Sequence, residues 1–176
     1  MEKITNNIEY QGLLRRYHGL KEEMNNLDKD RSLFEFAIIL DSGTEIHPDY
    51  NNVLSNYRHE KHKTLEQLLD ICAPVENPDL KNRTDIVSQT CGFSKWGFYF
   101  LCMFPGYGKL KELLMSQPIP YYENKRDYFK EPLRKELWSE KEIFFSWLKS
   151  SCESDQYQLR EASFDFCFTG EKYLLE

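Results

Sequence analysis

At 176 residues, with a formal charge of −6 and aromatic residues at 15%, the chain has the length of one domain and enough apolar bulk for a core that needs neither disulfide nor metal. Its five cysteines, Cys72, Cys91, Cys102, Cys152 and Cys167, are odd in number and include no C-x-x-C pair, which argues against a disulfide scaffold and for reduced structural thiols in a cytoplasmic protein. No apolar segment of a signal peptide opens the sequence, and the longest apolar run, Trp96 to Pro105, is about half a membrane span.

In chain order, Ile4, Ile8, Leu13, Leu14, Tyr17, Leu20, Met24 and Leu27 recur at helical spacing and predict a first helix. Asn25-Asn26 and Asp28 to Asp30 follow as a polar break. Leu33 to Leu40 is short, apolar and ends at Asp41-Ser42-Gly43, which favours a buried strand over a buried helix. A helix is expected from about Tyr50 to Cys72, with Leu65, Leu68, Leu69 and Cys72 at i, i+3, i+4 and i+7. Pro74 and Pro78 then mark a loop, and Thr84 opens a short helical turn ending near Gly92.

Phe93 to Phe104 is apolar on both alternating faces, the pattern of a strand covered on both sides. Pro105-Gly106-Tyr107-Gly108 is a turn, and Lys109 to Ser116 a short helix. Gln117-Pro118-Ile119-Pro120 is an extended connector that places a subdomain seam near 117–122. Ser139 and Glu142 form a capping box before a helix carrying Ile143, Phe144, Trp147 and Leu148. The tail alternates Ala162, Phe164, Phe166 and Phe168 with Glu161, Ser163, Asp165 and Cys167, a strand signal. Leu175-Glu176 has the look of a cloning remnant and is set aside. The elements add up to a helix-rich α+β fold with a small sheet in a single domain, 1–176; an all-α fold is the alternative if the apolar runs are buried helices.

Few constellations suggest chemistry. His59 and His62 lie three apart, so a helix would put both imidazoles on one side, with His47, Asp41, Glu45 or Cys72 as further metal ligands. Arg58, Lys61 and Lys63 oppose a cation there, and a solvated helix face is favoured. Cys91, beside Gly92 in a turn, is a nucleophile only if a histidine reaches it, and the spacing supplies none. Gly106-Tyr107-Gly108-Lys109 precedes a helix as an anion-binding turn does, but Leu110 stands where a P-loop needs Ser or Thr. Lys125, Arg126, Tyr128, Phe129, Lys130, Arg134 and Lys135 interleave bases with aromatics, but Asp127, Glu131 and Glu136 interrupt them, which weakens a nucleic-acid surface. No cofactor is expected.

Charge is unevenly placed: residues 1–76 sum to −5, 77–150 to +3 and 151–176 to −4. Glu153, Asp155, Glu161 and Asp165, with Tyr157 beside them, are expected to form an acidic partner-binding face, since a negative patch steers a positive partner and Tyr suits interfaces. Glu22, Glu23, Asp28 and Asp30 give a second acidic face.

In size and acidic character the chain resembles the bacterial immunity proteins that protect against nuclease toxins, including those of contact-dependent growth inhibition systems. The resemblance implies a non-catalytic inhibitor that occludes a basic toxin domain, with no membrane partner. A small metal- or cysteine-dependent hydrolase and a nucleic-acid-binding regulator are the other readings.

Overall fold

The computed structural model describes residues 6–41, 49–91, 93–122 and 140–174, without the side chains of 28–41, 49–52, 54, 90–91 and 165–174. It divides the chain into two compact units, Met1–Ile71 and Cys72–Glu176. Every regular element among the described residues is helical, so the fold is all-α and the expected α+β class with its small sheet is overturned.

The first unit holds α1, Ile8–Asp41, and α2, Asp49–Cys72, whose last residue already belongs to the second unit. Asn7 caps α1: its Oδ1 accepts from the amides of Glu9 at 2.9 Å and Tyr10 at 3.2 Å, satisfying donors that the first turn leaves without carbonyls. The helix runs through the expected break at residues 25–30 and through Leu33 to Leu40, where a strand was expected. It contains no proline, and Asn or Asp inside a helix costs only about 0.7 kcal/mol. Arg16 pairs with Glu60 at 2.5 Å, and Glu23 bonds Tyr57. One number rises as the other falls, so α1 and α2 run antiparallel. Leu65, Leu68, Leu69 and Cys72 are all buried, as their spacing predicts.

Among the described residues the second unit holds five α-helices. Helix α3, Pro78–Cys91, starts where the sequence suggested a loop. Asn77 Oδ1 accepts from Leu80 N at 3.1 Å, and Pro78 occupies the first helical position, where a missing amide does no harm. Helix α4, Lys95–Met103, replaces the strand expected over 93–104; Trp96 to Cys102 are buried without interruption. A helix buried all round and a strand buried on both faces present the same continuous apolar run. After a 3-10 turn at Pro105–Tyr107 come α5, Gly108–Ser116, and a second 3-10 turn at Ile119–Tyr122. Helix α6 covers 140–150, and α7, Ser154–Leu174, replaces the strand expected in the tail.

Helix α4 packs against α3, α5 and α7. Its rings form a column in which Trp96 and Phe100 stack at 5.3 Å and Tyr99 meets Trp96 edge-on at 5.7 Å. Phe144 of α6 stacks on Phe164 of α7 at 4.5 Å and meets Phe104 edge-on at 5.4 Å. Residues 117–122 lie inside this unit: Arg83 Nη1 donates to the carbonyls of Leu114, at 2.8 Å, and Gln117, while Tyr122 Oη donates to those of Leu113, at 3.0 Å, and Leu114.

One buried polar contact sets the register of α4 against α7. Ser94 caps α4, accepting from Gly97 N at 3.2 Å, and shares a 2.6 Å hydrogen bond with Ser163. Both serines are fully buried. Ser94→Ala removes a helix cap and leaves a buried hydroxyl without its partner, so a loss of about 2 kcal/mol is expected. In S94A/S163A no stranded hydroxyl remains, and the double variant should lose less than the two single variants together. Urea unfolding followed by tryptophan fluorescence checks this, since Trp96, Trp138 and Trp147 all lie in the second unit.

Candidate functional site

The acidic residues singled out from the sequence fall on α7 and on the turn before it. A strand would have placed Glu161 and Asp165 on one face by alternation, but the helix groups them by turns. Its inward side carries Leu159, Arg160, Ser163 and Phe164, all buried. On the opposite arc Asp155 and Gln158 are exposed and Glu161 is half-buried, at i, i+3 and i+6. Tyr157, half-buried at the edge of that arc, donates from Oη to Glu161 Oε1 at 3.3 Å, and Lys149 Nζ lies 6.0 Å from its ring centroid. Glu153 is exposed just before the helix, and its carbonyl accepts from Tyr157 N at 2.9 Å. Asp165 takes the next i+4 position after Glu161, with its side chain outside the described residues.

The sequence reading missed Arg160. It is the only cation from 153 to 165, and it points into the core at 7% exposure. Its guanidinium carbon stands 4.5 Å from the Phe100 ring centroid, and Nη1 donates to Cys152 Sγ at 3.0 Å. From 153 to 165, therefore, the outward side carries carboxylates and no cation. The i+4 step from Arg160 to the core residue Phe164 was the available signal. A cation-π contact is worth about 0.5–2 kcal/mol, against several kcal/mol for taking a charged group out of water, so the ring compensates Arg160 only in part.

The second acidic face is partly described. Glu22 and Glu23 are exposed on α1, and Glu23, as hydrogen-bond acceptor and negative charge, holds the Tyr57 phenol above its usual pKa. Asp28 and Asp30 lie in α1 with side chains outside the described residues.

Among the described residues the candidate catalytic groups do not assemble around a reacting centre. His59 is exposed, and His62 sets Nε2 3.3 Å from Glu66 Oε1. Among the described residues no three His, Cys, Asp or Glu side chains converge as a metal site does; His47 and Glu45 lie outside those residues, as does the Asp41 side chain. Cys91 is the last residue of α3, with its side chain also outside them. The turn at Gly106 is set by packing: a Cβ there would come within 2.5 Å of the Phe104 ring and 2.8 Å of Glu140 Oε2, and the nearby carboxylate repels an anion. The basic-aromatic stretch at 125–135 lies outside the described residues.

Two other thiols gather near Arg160. Cys152 Sγ donates to Leu148 O at 2.8 Å, and Gln156 Nε2 donates to Cys72 O at 3.2 Å. Burial raises both thiols, Cys72 to about 11, with Arg160 opposing in each case. A thiol raised this way is a poor nucleophile near neutrality. No family model, curated protein or solved structure matches the chain, so chemistry alone carries the functional reading.

The raised Cys72 pKa has a definite sign. The native state holds its proton to higher pH than the unfolded chain does, so its contribution to stability is intact below about 9 and declines as pH rises through about 11. Denaturant unfolding of Cys72→Ala between neutral and strongly alkaline pH should show a shallower alkaline decline than the parent chain.

Proposed function

We propose that the chain is a non-catalytic binding protein that neutralises a basic protein partner through the outward arc of α7. Glu153, Asp155, Glu161 and Asp165 supply the charge, and Tyr157 supplies aromatic contact at the edge. The observation that carries this reading is the inward burial of Arg160, the one cation of that stretch. With it withdrawn, no other cation from 153 to 165 offsets the carboxylates, and negative potentials raise association rates for positive partners. An interface of about 1,600 Å² is enough for tight inhibition.

The finer proposal is an immunity protein whose partner is a nuclease toxin domain. Such a domain binds a polyanion and so presents a basic surface, the complement of this arc. Occluding that surface would block nucleic acid without any reaction by the inhibitor.

Charge reversal tests both levels. In E153K/D155K/E161K the association rate with the cognate basic partner is expected to fall tenfold or more at low salt, and the gap should narrow as salt is added, because screening removes steering. Surface-binding kinetics read this, with circular dichroism confirming that helicity survives. An unchanged rate places the interface elsewhere. Co-expression with a toxin encoded beside this chain should restore growth, and the triple variant should not; failure of the parent chain to protect overturns the finer proposal while leaving the binding reading to the kinetics.

A further inference from the structure

Among the described residues the core of the second unit contains two cations, and they are compensated differently. Lys81, at 7% exposure, has the carboxylate of Asp85 one turn along α3 and stands 4.4 Å over the Trp96 ring. Arg160 is equally buried, but no carboxylate among the described residues pairs with it. Among those residues its one hydrogen bond runs from Nη1 to a thiol, and Nε, fully shielded from solvent, has no hydrogen-bond partner. A thiol is a weak acceptor that does not balance a charge.

The orientation of the guanidinium decides what would suit it. One face is set against Phe100 and Nη1 is held by Cys152. The remaining edge is the one on which Nε and Nη2 point the same way, the fork that accepts two oxygens of one planar or tetrahedral anion. We propose that Arg160 is a receptor for a small oxyanion, a carboxylate or phosphate group, taken side-on through Nε and Nη2. Cys152, the partner of Nη1, lies in the turn between α6 and α7, half-buried between the exposed Ser151 and Glu153. Arg160 faces away from Asp155 and Glu161, and the anion site is tested without the partner proposed above.

The test uses the full chain, titrated separately with inorganic phosphate and with acetate at an ionic strength held constant with chloride. The Arg160 Nε–H resonance, assigned through its own side chain by NMR, is expected to shift and saturate with at least one of the two anions, while other arginine Nε–H signals stay in place. The same anion should raise the Tm of the parent chain and not that of R160K, which keeps the charge but lacks the fork. A response to phosphate alone supports a phosphate ligand, and a response to acetate alone a carboxylate ligand. An Arg160 resonance unmoved by both anions overturns the site, as does an equal Tm rise in R160K. Should R160K fail to fold, the parent resonance decides by itself.

Discussion

Everything in the second unit is arranged around the aromatic column of α4. Trp96, Tyr99 and Phe100 lie in a stretch in which each residue from Trp96 to Cys102 is buried, so neighbours must cover that helix on all sides. Helices α3, α5 and α7 pack against it, and Phe104 at its end meets the rings of α6. Burying an aromatic side chain contributes roughly 1.5–3 kcal/mol, far more than the surface ion pair of Arg16 and Glu60 in the first unit. The column is therefore what the neighbouring helices are selected to cover, and the polar contacts at its edges, Ser94 with Ser163 above all, choose among ways of covering it.

The same column explains where charge ends up. Among the described residues two cations lie against it, Lys81 over Trp96 and Arg160 against Phe100. Drawing Arg160 inward gives α7 two unlike sides: a cation inside and carboxylates outside. The outward field and the inward guanidinium are thus products of one placement. It follows from the helical step that joins Arg160 to Phe164, and an alternating strand would have produced neither.

The legible parts of the sequence were those with one wet side. Leu65, Leu68, Leu69 and Cys72 repeat at helical steps because this part of α2 has a wet side, with Lys63, Gln67 and Asp70 exposed, and the spacing led to the right element. Trp96 to Cys102 has no wet side, so periodicity vanished and length was the only arbiter. In the tail, Phe164, Phe166 and Phe168 alternate, but the described core contacts of α7 run through Leu159, Ser163 and Phe164, and a serine and an arginine inside the core disguised the helical period. Asp155, Tyr157 and Glu161 were picked out by composition. Their common arc appeared only with the helix, and Arg160 was passed over because arginine is rarely so buried.

Tyr99 reaches beyond its ring. Its phenolic oxygen accepts from the amides of Glu76 at 3.1 Å and Asn77 at 3.2 Å, so the connector leading into α3 takes its hydrogen bonds from a side chain rooted in α4. Two amides that lie outside any helix are thereby fastened to the interior. A protease seeking slack backbone at Glu76 and Asn77 would first have to break their hold on a buried ring, so those two residues share the lifetime of the fold they lead into.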